Sequence, residues 1–339
     1  MVRVGVVGFG FMGNMHFRCY EANDNAEVAA ICDADESKFK GGGAAGNIPG
    51  AEGPLDLSGI GLFTDFDKML EDAELDAVSI TLPTHMHRDF TVKALEAGLN
   101  VLCEKPMAIS EKQCEDMIAA AEKSGKILQI GHCIRFWPEY AKTKEILDSG
   151  EYDKVIAASF RRLSATPIWS WQNWLMGGSK SGGALLDLHI HDADFVQYAF
   201  GMPRSVCTQG VRGPSGDLDH VLTQYNYDDG KVVAAEGGWV MMPGFGFEMS
   251  FNIVLESATI VFDSTREPAF KLFTTKSEEP IIPETEEGDG YSLEIAHFLK
   301  SVSGEKVPEI ITPAQSLNSV KLILAEKHSA EAGKKVAID

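Results

Sequence analysis

Positive charge is scarce in this chain: 30 lysines and arginines stand against 50 aspartates and glutamates, a formal net charge of −20. Such a field repels nucleic-acid phosphates and anionic lipid headgroups, so neither nucleic acid nor membrane is expected as a partner. No apolar run approaches the roughly 20 residues that a membrane-spanning helix needs. The first strand signal begins within four residues of Met1, which leaves no room for a secretory leader, and a cytoplasmic location is the expectation. Cysteine is sparse and never occurs as C-x-x-C. Cys19, Cys32, Cys103, Cys114, Cys133 and Cys207 are scattered, several of them in apolar runs, as reduced core residues would be. His85-x-His87 and His189-x-His191 lack a third ligand nearby in sequence, so no metal is expected. Internal repeats are missing as well. What remains is 339 residues of ordinary globular composition, 44% hydrophobic, a length that predicts two domains.

Glycine supplies the first positive signal. Val4, Val6 and Val7 form a short buried strand, and Gly8-Phe9-Gly10-Phe11-Met12-Gly13 sets G-x-G-x-x-G at its end, where a helix must begin. Gly8 allows the tight turn, Gly10 lets backbone approach a pyrophosphate, and Gly13 lets helix pack on strand. The helix N-terminus then offers free N–H groups and the positive end of its dipole. A second apolar run, Val28–Cys32, ends at Asp33, twenty residues after Gly13, where a carboxylate accepts hydrogen bonds from a ribose 2′-hydroxyl. The same carboxylate repels a 2′-phosphate, which favours NAD over NADP. Lys38 is the one nearby base able to reverse that preference.

Strand and helix alternate for the first 130 residues. A helix over Asn14–Glu21 leads to the second strand, and Gly41–Gly61 reads as a surface loop. Phe63–Leu70 precedes the strand Asp76–Thr81, which stops at Pro83. The next helix is capped at Thr84 or a neighbour and ends at Gly98. Asn100–Cys103 delivers Glu104-Lys105-Pro106 at its carboxyl end, where ligands bind in open parallel sheets, and Pro106 keeps Lys105 out of the following helix. That helix, Glu111–Ser124, has Ser110 as N-cap and Gly125 as its stop. Ile127–Ile130 is the last strand of the alternation. The domain boundary is placed at Gly131, giving a dinucleotide-binding domain over residues 1–130 and a substrate-binding and oligomerisation domain over 131–339.

The second domain is richer in period-two patterning. Val155–Arg161, Ser205–Val211, Val221–Tyr227, Lys231–Val240, Phe247–Leu255 and Ala258–Asp263 are expected strands of a mainly antiparallel sheet, two of them joined by a hairpin at Asp228-Asp229-Gly230. Glu278–Asp289 is expected to be a solvated loop and Leu317–Ala330 a closing helix. A wide sheet with few helices leaves an apolar face to bury, so a homodimer or homotetramer is expected. Within this domain, Gly182–Phe200 reads as one helix ended by Gly201. At 100° per residue, Asp187, His191, Asp194 and Tyr198 form a narrow polar stripe fenced on both sides by apolar residues, as in the wall of a cleft. Asp187 and His191 stand at i and i+4, close enough to pair, or to face a third group, in the manner of an acid–base site. An Asp–His pair that only ties helix to sheet is the competing reading. His189 points away as a structural residue, and Asp192 is read as exposed.

Taken together, Gly8-x-Gly10-x-x-Gly13, Pro83 with His87, Glu104-Lys105-Pro106, and Gly182-Gly183 before Asp187-x-x-x-His191-x-x-Asp194 resemble the Gfo/Idh/MocA family of oxidoreductases over essentially the whole length. The resemblance implies an α/β protein: an N-terminal Rossmann domain with a doubly wound parallel sheet, then an α+β domain with a large, mainly antiparallel sheet. It implies a nicotinamide cofactor held by Gly8, Gly10, Phe11, Met12, Gly13, Asp33, Thr81, Pro83, His87, Glu104 and Lys105, with Glu104 at the nicotinamide ribose. It implies Lys105 at the reacting oxygen and His191 as acid–base group beside Asp187, acting on a sugar, polyol or sugar derivative. Thr84 departs from the asparagine many members carry after that proline. Arg135, Trp137, Trp171 and Asn173 are pocket candidates. Trp169, Trp171 and Trp174 suit either sugar stacking or a subunit interface, and Arg135, Arg161 and Arg162 suit a carboxylate or phosphate on the substrate. An NAD-dependent glycosidase working by transient oxidation, and a non-catalytic nucleotide sensor, are the alternatives.

Overall fold

The computed structural model describes residues 1–44, 46 and 50–338. The chain divides into two compact units. One comprises Met1–Cys133, Trp169–Trp174 and Asp289–Leu317, and the other Ile134–Ile168, Leu175–Gly288 and Asn318–Asp339.

The first unit is built on six parallel strands: β1 (Val2–Val7), β2 (Ala26–Cys32), β3 (Gly61–Phe63), β4 (Ala77–Ile80), β5 (Asn100–Glu104) and β6 (Leu128–Gly131). Their order is β3-β2-β1-β4-β5-β6, the doubly wound arrangement in which direction reverses between β1 and β4 and opens a ligand crevice at the strands' carboxyl ends. The central strands read as apolar runs because helices cover both faces of such a sheet. Helices α1 (Phe11–Glu21), α2 (Phe66–Asp72), α3 (His87–Glu96) and α4 (Glu111–Ser124) provide the crossovers. In α4 the expected punctuation forms: Ser110 Oγ accepts from the Gln113 N–H, Gly125 closes the helix in a left-handed conformation, and Cys114, Met117, Ala120 and Ala121 make the buried face. Before α3, however, a 3₁₀ turn over Thr84–Met86 comes first. Thr84 is buried there, and α3 starts at His87 with no side-chain cap. A helix from the chain's other end, Gly290–Val302, closes this core by setting Phe298 and Leu299 among Val4, Val6, Phe17, Tyr20 and Ile31.

The Gly41–Gly61 segment is more than a surface loop. Gly43 bridges to Glu52, Ala51 is buried with Phe11 and Met15, and Arg18 Nη2 donates to the carbonyls of Glu52 and Gly53. Leu55, Leu57 and Ile60 pack on the core, and Gly61 already belongs to β3. Ala45, Asn47, Ile48 and Pro49 lie outside the described residues.

The second unit begins with α5 (Pro138–Ser149), which has proline in its first turn and Gly150 as C-cap. Its sheet comprises β7 (Val155–Ala165), β8 (Ser205–Arg212), β9 (Leu218–Asn226), β10 (Val232–Met241), β11 (Phe247–Leu255), β12 (Ala258–Asp263), β13 (Phe270–Thr274) and β14 (Val336–Ala337), in the order β13-β12-β11-β7-β10-β9-β8-β14. All neighbours are antiparallel except β7 and β10. The six strands read from the sequence all form. β13 and β14 were not legible, and β14 is only two residues long. A short α6 (Gly178–Ser181) precedes α7 (Ile190–Phe200). An aromatic cluster of Tyr140, Phe195, Phe251 and Phe262 joins α5 and α7 to one sheet face. On alternate positions Leu222, Val232 and Phe273 remain 42–58% exposed.

Candidate functional site

The glycine turn is shaped by contacts that only hydrogen at Cα allows. Gly8 has φ +91°, and a Cβ there would meet the Thr81 carbonyl oxygen at 2.9 Å. A Cβ on Gly13 would run into the Gly8 carbonyl, whereas Gly10 has open space around it. Thr81 Oγ1 donates to the carbonyls of Gly8 (2.6 Å) and Val7 (3.0 Å), tying β4 to the turn. Gly10 is the N-cap of α1 and has no side chain to fill the helix end, so first-turn N–H groups stay available to an anion. Phe11 and Met12 contribute backbone here: the Phe11 ring turns away onto Trp169, 5.3 Å between centroids, and Met12 packs with that cluster. Asp33 is fixed at the end of β2, its Oδ2 accepting from the Phe9 N–H at 2.6 Å and its Oδ1 from the Asp35 N–H at 2.8 Å. These residues fit a dinucleotide: an open cradle for pyrophosphate, a bare helix end and a preset ribose acceptor.

At the carboxyl end of β5, Glu104 is 5% exposed. Its Oε1 lies 3.0 Å from His16 Nε2, and its Oε2 accepts from the Lys105 N–H at 3.1 Å. Burial pushes this carboxyl up, but the His16 hydrogen bond and the positive charge of Lys105 outweigh it and hold the group below its ordinary value. His87 does not reach outward as a ligand group would. Its Nδ1 lies 2.8 Å from the Pro106 carbonyl oxygen and its Nε2 2.8 Å from that of Leu82, and burial lowers its pKa. It therefore latches the Lys105-Pro106 turn to the segment after β4. Pro83 leads into the 3₁₀ turn and is partly exposed. Lys105 is partly exposed on the turn.

In the second unit the single helix expected over Gly182–Phe200 is interrupted. Gly182 and Gly183 both have positive φ (75° and 68°). A π turn over Leu185–His189 then precedes α7, so the 100° wheel does not apply through Asp187. Asp219 sets the start, its Oδ1 accepting from the Ala184 N–H at 3.3 Å and from Ser215 Oγ at 2.6 Å. Asp187 stays partly exposed and His191 is 9% exposed. Their neighbours are structural. His189, as expected, is a fixture, its Nε2 2.9 Å from Glu326. Asp192 is fully buried rather than exposed, accepting from Arg162 Nε and Nη2 at 2.8 and 3.1 Å. Asp194 leaves the polar stripe: Arg135 Nε and Nη2 both donate to it at 2.8 Å, and Ser319 Oγ at 2.6 Å. Arg135 is 1% exposed, with its guanidinium 4.4 Å from the Tyr198 ring. Arg161 is bound to Glu236 and Glu248. The arginines read as anion partners thus already have carboxylates. Trp171 is 41% exposed and Asn173 is exposed, on a turn where Gln172 and Asn173 take positive φ. Trp137 is the N-cap of α5. Among the described residues no cluster of three or more potential metal ligands occurs, and no helix is long and apolar enough to cross a membrane.

Sequence reasoning missed His16, Ser79 and Tyr20. His16 Nδ1 lies 3.1 Å from Ser79 Oγ, which lies 2.7 Å from the Tyr20 hydroxyl, and all three are buried beneath Glu104. The available signal was a histidine and a tyrosine four residues apart on one face of α1, the face that must meet the sheet.

Fold and cradle together define an oxidoreductase with an NAD-binding Rossmann domain. Residues 2–132 match the family model described as "Oxidoreductase family, NAD-binding Rossmann fold", and residues 140–261 match the GFO/IDH/MocA C-terminal domain; the chain belongs to the Gfo/Idh/MocA family. An uncharacterized oxidoreductase of Streptococcus pneumoniae serotype 4 is 30% identical over 68% of this chain, which spans 58% of that relative's length. The scyllo-inositol 2-dehydrogenase (NAD(+)) of Bacillus subtilis is 29% identical over 80% of each chain. The WlbA dehydrogenase of Bordetella pertussis, solved with NADH and UDP-GlcNAcA, shares the fold with a TM-score of 0.84 over 100% of this chain and 98% of its own, at 19% identity.

Proposed function

We propose that this protein is an NAD-dependent dehydrogenase acting on a CH–OH group of a sugar, an inositol-like polyol or a sugar derivative. The observation that carries the reading is the turn Glu104-Lys105-Pro106 at the carboxyl end of β5, across the switch point from an open glycine cradle and a fixed Asp33. The name of the Bacillus subtilis relative supports a polyol substrate and NAD.

NAD, when bound, supplies the hydride acceptor. The glycine turn and the first turn of α1 would hold the pyrophosphate, Asp33 the adenosine ribose, and Glu104 the nicotinamide ribose. Lys105 carries an ammonium suited to stabilising alkoxide character on the reacting oxygen. His191 is a nearly buried imidazole suited to accept the hydroxyl proton, and the partly exposed Asp187 lies in the π turn that leads into its helix. Trp171, exposed beside two residues of positive φ, is a sugar-stacking surface. Arg135 enters as a positioning residue, since its charge is used on Asp194 in the same helix as His191.

Incubating the protein with NAD and a panel of polyols and sugars, while following absorbance of NADH, tests this. At least one substrate should give NADH stoichiometrically. Glycoside cleavage without net NADH would replace the reading with transient-oxidation chemistry, and NAD binding with no turnover across the panel would leave the sensor.

A further inference from the structure

We infer that His16 is a positioning residue for the nicotinamide half of the cofactor, acting through Glu104. The inference rests on the NAD reading but not on the catalytic roles of Lys105 and His191.

A doubly wound sheet offers two equivalent mononucleotide halves about its switch point. Asp33 stands at the carboxyl end of β2 in one half and Glu104 at the carboxyl end of β5 in the other. Each carboxylate is held from behind, but by different means. Asp33 relies on backbone N–H groups at both oxygens. Among the described residues, Glu104 accepts from a backbone N–H at Oε2 and meets the side chain of His16 at Oε1.

The protons along this chain can be placed. Burial raises the Tyr20 pKa, so its hydroxyl keeps its proton. The simplest assignment then runs one way: Tyr20 O–H donates to Ser79 Oγ, Ser79 O–H donates to His16 Nδ1, and His16 Nε2–H donates to Glu104 Oε1. In this arrangement every member of the chain has a partner. On the far side Gly131 of β6 lies against the carboxylate, where a Cβ would stand 3.2 Å from Oε1. His16 is 0% exposed, so it cannot itself touch a ligand. It lies on α1, whose first turn is the pyrophosphate cradle, so one helix sets both the phosphate site and the orientation of Glu104.

The test uses ADP and NAD on the full-length protein, since ADP contains the adenosine and pyrophosphate but not the nicotinamide ribose. In calorimetric titrations, His16→Asn and His16→Ala should weaken NAD about ten- to hundredfold, the loss of one hydrogen bond to a charged group, while ADP affinity stays within twofold. His16→Gln, whose amide nitrogen can take the place of Nε2, should retain most of the NAD affinity. Glu104→Gln should cost a similar factor, and combining it with His16→Asn should add little. Unchanged NAD affinity in His16→Asn, equal losses for ADP and NAD, a glutamine variant no better than asparagine, or fully additive losses would each overturn the inference. If His16→Asn and His16→Ala fail to fold, the glutamine variant and Tyr20→Phe carry the test: the first should keep NAD affinity and the second lose part of it with ADP unchanged, and any other pattern refutes the role. A wild-type protein that binds ADP no better than NAD-free controls would refute the cofactor reading instead.

Discussion

Asp33 cannot swing away from an incoming 2′-phosphate without breaking its bonds to the N–H groups of Phe9 and Asp35. NAD should therefore bind more tightly than NADP, and Asp33→Ser should narrow the gap; fluorescence titration of both cofactors checks it. Equal affinities in the wild type would mean that Lys38 sets the preference. Lys105 and His191 are separable by what they leave intact. Lys105→Met should lose most turnover while ADP binding, which involves neither Glu104 nor Lys105, changes little. His191→Ala should slow oxidation by about 10²–10⁴-fold. If the proposed roles hold, the losses in the double variant should fall short of additive, and fully additive losses would count against a shared step. Normal turnover in His191→Ala would return the Asp187–His191 pair to a structural role.

At the scale of elements, the double glycine before the π turn is the feature most open to test. Gly183 has φ +68°, and a Cβ there would stand 2.8 Å from the Leu218 carbonyl oxygen and 3.1 Å from Asp219 Oδ1. Gly183→Ala should cost about 1–3 kcal/mol from backbone strain, read as a lowered Tm, and should reduce turnover by shifting the π turn. Gly216→Ala, also at positive φ but with no atom within 4 Å of the added Cβ beyond its chain neighbours, controls for backbone strain alone and should leave turnover intact. What could be read in advance here follows from range. The glycine turn, the cap of α4 and the period-two strands are local patterns, and the sequence displays them. Asp192 and Asp194 could not be placed, because their partners Arg162 and Arg135 lie 30 and 59 residues away. The π turn escaped because a helical wheel presupposes i→i+4 bonding. His16 was passed over because its meaning depends on Glu104, 88 residues on.

For the whole molecule, the exposed positions of the second sheet set the expectation. Leu222, Val232 and Phe273 present apolar side chains on one face of the eight-stranded sheet, and burying them against a second copy is the simplest way to remove them from water. Light scattering at micromolar concentration should give a dimer or tetramer, and a 36.8 kDa particle would refute that. The first unit has another property, rooted in its chain path. Its core takes Phe298 and Leu299 from the helix Gly290–Val302, so this unit is completed by a segment far downstream of its last strand, β6. During synthesis the early strands must wait, with part of their apolar surface uncovered, until the Gly290–Val302 helix has left the ribosome. A nascent chain stalled near residue 130 should accordingly bind NAD poorly and recruit chaperones, and one stalled beyond the Gly290–Val302 helix should do neither.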